Sequence, residues 1–177
     1  VGYDPALTIC YRDEYTQMLG DRRGEFDVKL PEEWLNEQFG TQTFVERFAK
    51  IKDKVEQTSK TDEFKAPYFL FTHCTERALI TQSPVLWQTL MQHFFINVIP
   101  ETVACCGMAG LFGHIAKNHD ETYAVYEKNW KGKIKSHDFK HCLITGFSCR
   151  SQVHRMEGKE AVHPLFVLND LLNKALK

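Results

Sequence analysis

Three short apolar runs constrain the fold of this 177-residue chain more than any other feature. Each run has the length of a buried strand, and each is followed within a few residues by one or two cysteines. The runs span residues 68–71, 96–99 and 141–145. Stretches with helical spacing separate or follow them, including one that begins at Ser83-Pro84 and one that follows His163-Pro164. This alternation predicts an α/β fold, with a mostly parallel sheet flanked by helices.

Four cysteines come after these predicted strands. Cys74 follows the first strand, Cys105 and Cys106 follow the second, and Cys149 follows the third. Loops at the carboxyl ends of strands build the functional crevice of such a fold. We therefore expect three distant segments to bring four thiols to one edge of the sheet.

The other two cysteines are predicted to be core residues. Cys142 lies inside the third apolar run. Cys10 lies in a predicted helix that has Asp4 as its N-cap, Pro5 at its first position and Gly20 at its end. A further helix is predicted from about residue 115 to residue 130. None of these features adds a ligand to the four thiols.

The pair Cys105-Cys106 opens a stretch that is rich in glycine. Neighbouring side chains diverge on a strand and lie about 100° apart on a helix, so adjacent thiols can rarely both be core residues. Gly107 and the glycines that follow let the backbone bend tightly. The stretch predicts a metal-binding or redox loop.

Four thiolates form a complete ligand set for a [4Fe-4S] cluster or for tetrahedral zinc, whereas magnesium and calcium prefer oxygen ligands. Three interpretations stay open: an iron-sulfur centre, a structural zinc (Zn) site, and thiol-disulfide chemistry in which Cys105 or Cys106 attacks. His73, Gly107, His114 and Arg150 are expected to surround the ligands rather than to bind the metal. Arg150 and a helix that starts near Cys149 would favour the thiolate.

Composition excludes two classes of protein. The 22 basic and 23 acidic residues give a net charge of −1, which argues against a nucleic-acid-binding surface. No apolar run has the length of a membrane span. Six cysteines without a secretion signal favour metal or catalytic roles in a reducing compartment, so we expect a cytoplasmic protein, with peripheral association with the inner membrane left open.

The cysteine pattern resembles the cysteine-rich CCG domain that occurs in heterodisulfide reductases and in the iron-sulfur component of glycolate oxidase. That pattern is a single cysteine, then Cys-Cys-Gly, then Cys-x-x-Cys. Cys74, Cys105-Cys106-Gly107 and Cys149 match it in order. Gly146 stands where the family has its penultimate cysteine, which argues against a cluster that needs five cysteines.

The resemblance is greatest to large FAD-linked oxidases of the D-lactate and D-2-hydroxyglutarate dehydrogenase type. It rests on four segments, at residues 2–15, 73–76, 105–110 and 146–152. It implies that residues 1–177 are a single CCG domain, a C-terminal fragment of a longer flavoprotein. Flavin and ferredoxin-like domains would precede it, FAD would take a hydride from a D-2-hydroxyacid, and electrons would leave through iron-sulfur centres to an acceptor that the sequence does not identify. Cys74, Cys105, Cys106 and Cys149 would bind the last centre, and the fragment alone would be inactive.

Overall fold

A three-stranded parallel sheet lies at the centre of the fold in the computed structural model, which describes residues 1–177. Its strands are β1 (Tyr68–Phe71), β2 (Val98–Pro100) and β3 (Cys142–Ile144), in the order β2-β1-β3. Tyr68 pairs with Val98, and Phe69 pairs with Cys142. The predicted α/β class is therefore confirmed.

The second strand begins two residues later than the sequence pattern indicates. Phe95 has a left-handed backbone (φ 59°), and the Ile96 N–H donates to the carbonyl of Met91 in the preceding helix. These residues belong to the turn that ends the helix, so pairing with β1 starts only at Asn97, whose carbonyl accepts from the Tyr68 N–H at 2.9 Å, and the strand itself begins at Val98.

Eleven helices surround the sheet. None of them is both long and apolar enough to cross a membrane. They are α1 (Pro5–Arg12), α2 (Glu14–Leu19), α3 (Pro31–Phe39), α4 (Gln42–Ala49), α5 (Lys52–Ser59), α6 (Cys74–Leu79), α7 (Ser83–His93), α8 (His119–Tyr126), α9 (Gly132–Lys135), α10 (Phe147–Glu157) and α11 (Pro164–Ala175).

Both faces of the sheet are covered, which explains why the strands read as continuous apolar runs. Successive side chains of a strand point to opposite faces. Leu70 of β1 packs into a cluster that contains Trp87 and the helices around it. Phe71, one residue later, packs into a second cluster with Trp130. The sheet thus separates two cores, and its carboxyl edge remains available for the cysteine loops.

Two predicted helices differ in detail from those observed. The first begins as expected, since an Asp4 carboxylate oxygen accepts from the Leu7 N–H at 3.2 Å, but it is interrupted at Asp13. The helix predicted at residues 115–130 is irregular: 3₁₀ turns precede α8, and a π-helical turn at Glu127–Lys131 joins α8 to α9. The π-helical turn matters for the site described next.

Candidate metal centre

The four cysteines that follow the strands lie on three loops at the carboxyl edge of the sheet. Cys74 is the first residue of α6, and Cys149 is the third residue of α10. Cys105 and Cys106 lie in the loop after β2. Cys106 and Cys149 are buried, whereas Cys74 and Cys105 are partly exposed. The site is therefore closed on one side and accessible on the other.

The four thiols influence one another, and we call them the thiol row: Cys105 interacts with Cys74 and with Cys106, Cys106 interacts with Cys149, and Cys74 also interacts electrostatically with Cys149. The thiols of Cys106 and Cys74 and the Gly107 N–H (3.4 Å) donate toward the Cys105 sulfur, which lowers the pKa of Cys105. The pKa values of Cys74 and Cys106 are raised, first by donation to Cys105 and then by burial or by the Cys149 interaction. Negative charge in the row is thus centred on Cys105.

This row is not a closed set of ligands. No group of three or more His, Cys, Asp or Glu side chains converges at ligand positions in the structure. Rotation about χ1 moves a cysteine sulfur while its backbone stays in place. The backbone therefore brings four soft donors together, and their side chains lie side by side.

Gly107 fixes the backbone of the Cys105-Cys106 loop, which we call the Cys-Cys loop. Its φ of +91° lies in the region that favours glycine, and a Cβ there would lie 2.5 Å from the carbonyl oxygen of Thr122. The Thr122 hydroxyl donates to the Gly107 carbonyl at 2.6 Å, and Gln152 donates to the same hydroxyl at 3.1 Å. Since Gln152 belongs to α10, these bonds join the Cys-Cys loop to the helix that carries Cys149.

The π-helical turn supports the Cys-Cys loop from its other side. The Asn129 amide donates to the Cys105 carbonyl at 3.2 Å, and the Trp130 indole donates to the Ala104 carbonyl at 2.9 Å. π-Helical turns recur at functional sites of proteins. Here the turn aims two neighbouring side chains at two successive carbonyls of the loop.

His73 caps the helix that begins with Cys74. Its Nδ1 accepts from the Thr75 N–H at 3.2 Å, and its Nε2 lies 3.2 Å from the Ser148 hydroxyl. Burial lowers the pKa of His73, so its ring is neutral at neutral pH. His73 therefore bridges the loops that carry Cys74 and Cys149.

Gly146 packs directly against this imidazole. A Cβ at Gly146 would lie 2.5 Å from Cδ2 of His73. The position at which the CCG pattern has a further cysteine is therefore filled by the ring of His73. This close contact gives a physical reason for glycine at this departure from the family pattern.

The other residues expected around the ligands take different positions. Arg150 donates to the carbonyls of Ile144 (2.9 Å) and Thr145 (2.8 Å), so it braces the end of β3. His114 is exposed in the 3₁₀ turn Phe112–His114, and no hydrogen bond joins its ring to a thiol. Arg150 therefore supports the cysteine loops through its bonds to backbone carbonyls, whereas no hydrogen bond links the His114 ring to these loops.

The two cysteines predicted to be core residues have different surroundings, although Cys142 shares an apolar cluster with Cys106 and Cys149. Cys142 is fully buried in β3, and burial raises its pKa to about 11. Cys10 is partly buried in α1. Neither thiol is among the interactions that define the row.

Sequence reasoning missed several residues that hold the loops. Glu76 and Gln152 lie inside the segments that follow Cys74 and Cys149 and that carry the family resemblance, so their position could have suggested a role. Thr122 and Asn129 lie in a stretch without a motif, and only the fold brings them to Gly107 and Cys105.

Relatives were found among curated proteins, whereas no family model and no solved structure matches the chain. Proteins named D-2-hydroxyglutarate dehydrogenase from Pantoea ananatis, Escherichia coli and Haemophilus influenzae are 41%, 39% and 38% identical to it. Each match covers 97% of this chain and 15 to 16% of the relative. The chain is therefore similar over nearly its whole length to one short segment of these much longer proteins, and it spans about 15% of their length.

Proposed function

We propose that residues 1–177 form the cysteine-rich domain of an FAD-linked oxidoreductase that acts on a D-2-hydroxyacid, and that the domain holds a metal centre for electron transfer. The observation that carries the proposal is the row of four thiols, which the carboxyl ends of three strands bring together. The similarity over nearly the whole chain to proteins named as dehydrogenases supports the redox assignment.

The chemistry of the donors fits a metal that prefers sulfur. Four cysteines match the ligand count of a [4Fe-4S] cluster and of tetrahedral zinc. We favour the cluster because zinc has no redox chemistry, whereas an iron-sulfur centre accepts and releases single electrons. Cys74, Cys105, Cys106 and Cys149 would be its ligands.

Residues around the thiols would tune such a centre. The Gly107 N–H donates to the Cys105 sulfur, and hydrogen bonds to ligand sulfur are one determinant of cluster potential. Cys149 lies in the first turn of α10, where the positive end of the helix dipole would face a negatively charged centre. Burial of Cys106 and Cys149 would shield that side of the centre from water.

The remaining chemistry would belong to other parts of a longer polypeptide. By analogy with the relatives, FAD would be bound by a separate flavin domain and would take a hydride from the D-2-hydroxyacid. A ferredoxin-like domain would pass electrons between the flavin and this centre, and a further acceptor would receive them. We expect the chain alone to lack dehydrogenase activity, and we place the protein in the cytoplasm.

Metal analysis after anaerobic purification tests the proposal, with Cys106→Ser and Cys142→Ser as a matched pair. We expect iron and sulfide together with a broad visible absorption, which Cys106→Ser removes and Cys142→Ser keeps. Zinc that is bound in a fixed ratio to the protein and lost in Cys106→Ser would instead indicate a structural zinc site. A metal-free protein whose thiols cycle with a disulfide would indicate a thiol-disulfide module.

A further inference from the structure

A second cluster of polar groups lies at the other end of the segment that carries Cys74. We call it the carboxyl cluster; it consists of Glu32, Glu76, Ser83 and Thr145. Each of these residues is at most 1% exposed. Two carboxyl groups so deeply buried require hydrogen-bond partners, because an uncompensated buried charge is costly.

Glu76 accepts hydrogen bonds through both of its oxygens. Oε2 accepts from the Thr145 hydroxyl and from the backbone N–H of His73 (3.2 Å). Oε1 is bonded to the Ser83 hydroxyl, and it accepts from the Trp87 indole at 3.3 Å. Burial raises the pKa of Glu76, and these four donors oppose that shift because they stabilise its ionised form.

The Ser83 hydroxyl determines where the proton of the cluster lies. Its oxygen is hydrogen-bonded to Glu32 (2.6 Å) as well as to Glu76, yet a hydroxyl has only one proton to donate. One of the two carboxyl groups must therefore be protonated and donate to Ser83. The second oxygen of Glu32 is buried without a partner, so Glu32 is the poorer site for a negative charge. The proton belongs on Glu32, and Ser83 donates to Glu76.

The cluster joins the segments that carry Cys74 and Cys149. The His73 N–H, one residue before Cys74, donates to the Thr145 hydroxyl at 3.0 Å as well as to Glu76. Thr145 follows β3 directly and precedes α10, in which Cys149 lies. One carboxylate thus contacts the start of α6 and the residue that leads into α10.

We infer that Glu76 is a positioning residue for the metal centre: through its bonds to Thr145 and to the His73 N–H it sets the spacing of the Cys74 and Cys149 loops. The inference rests on the proposed metal site. Position 76 requires a carboxylate, because glutamine has an NH₂ group in place of one of the two acceptor oxygens. In one orientation of the amide this group would face the donors of Ser83 and Trp87. In the other it would face the donors of Thr145 and His73. At position 32 an amide can replace the acid, since its N–H can donate to Ser83.

Thr145 offers the cleanest test, because valine removes its hydroxyl at nearly constant shape and serine keeps it. The two variants should be compared in the full-length protein, with Cys106→Ser marking the signal of this site. We expect Thr145→Val to release the metal to a chelator about 10- to 100-fold faster, as is typical when a residue that orients metal ligands is lost. Thr145→Ser should behave as wild type.

Glu76→Gln and Glu32→Gln form a second matched pair. We expect Glu76→Gln to show the fast metal release and an altered spectrum or potential, and Glu32→Gln to keep both at wild-type values. If Glu76→Gln does not fold, the Thr145 pair alone decides. Wild-type release and potential in Thr145→Val would overturn the inference, whereas Cys106→Ser that loses no metal would instead overturn the proposed site.

Discussion

The thiol row, which is half-buried, and the carboxyl cluster, which is fully buried, are two groups of acidic side chains that meet at the segment from His73 to Glu76. The carboxyl cluster contains its own partners: two hydroxyls, an indole and a backbone N–H. In the thiol row the acids interact first with one another, and the other donors are the Gly107 N–H at Cys105, the Met108 N–H at Cys106 and the Thr75 side chain at Cys74.

This difference separates a group that stabilises a structure from one that is suited to a ligand. A buried polar network in which nearly every member has a partner rigidifies the elements that carry it. Adjacent thiols gain little from one another, and they become strong donors once they lose their protons to a metal. Glu76 thus places a rigid anchor two residues after Cys74, the first proposed ligand.

Raising the pH should destabilise the protein through the carboxyl cluster, and we expect this loss of stability to be the largest of the effects predicted here. Burial, followed by repulsion from Glu76, raises the pKa of Glu32 to about 8. Because the folded protein holds this proton more tightly than the unfolded chain, the associated stability is complete below about pH 4.5 and is lost as the pH rises through about 8. Between pH 5 and pH 8.5 the loss should reach ~4 kcal/mol as an upper value.

Urea unfolding at pH 5 and pH 8.5 measures this loss. Glu32→Gln should flatten the dependence, whereas Glu160→Gln, which changes an exposed carboxyl, should keep the wild-type profile. Equal profiles in wild type and Glu32→Gln would show that Glu32 is not the protonated group.

Gly107→Ala tests the backbone of the thiol row. The substitution forces a left-handed backbone on alanine and places its Cβ against the Thr122 carbonyl. We expect a loss of about 3 kcal/mol in the free energy of unfolding, from backbone strain and overpacking together. Gly110 also has positive φ (+63°) but open space around it, so Gly110→Ala should cost only about 1 kcal/mol. Similar losses in both variants would remove the steric role of Thr122.

Gly146→Ala tests the contact between Gly146 and His73, at the boundary between the thiol row and the carboxyl cluster. Its Cβ would overlap the His73 ring, and we expect a cost of about 2 kcal/mol. His73→Ala should relieve that overlap, so a double-mutant cycle should give a coupling of about 1 kcal/mol or more. Gly132→Ala, in an open position within α9, should stabilise the protein by about 0.5 kcal/mol. Additive costs in the cycle would contradict the contact with His73.

The sequence predicts the parts of this structure that depend on local pattern. The apolar runs at 68–71 and 141–145 form β1 and β3 because both faces of the sheet are covered. The order of strands and cysteines places the four thiols at one edge. These features follow from periodicity and from the geometry of parallel strands.

The remaining features depend on contacts between distant segments. The meeting of Glu32 with Glu76 needs α3 to pack beside α7, and nothing in the neighbourhood of Glu32 indicates a buried acid. Periodicity predicts a regular helix at 115–130, but the helix is irregular at the turn whose side chains contact the Cys-Cys loop. His114 adjoins the cysteine loop in sequence, yet it lies in an exposed turn.

The π-helical turn at Glu127–Lys131 limits which insertions and deletions this segment can accept. A π-helical turn contains one residue more than the regular helix it interrupts. Removing that residue would let the segment close into a regular helix, and without the bulge the Asn129 amide and the Trp130 indole would move away from the carbonyls of Cys105 and Ala104. Substitutions on the outer face of α8 keep that bulge. The length of this segment is therefore more restricted than its composition.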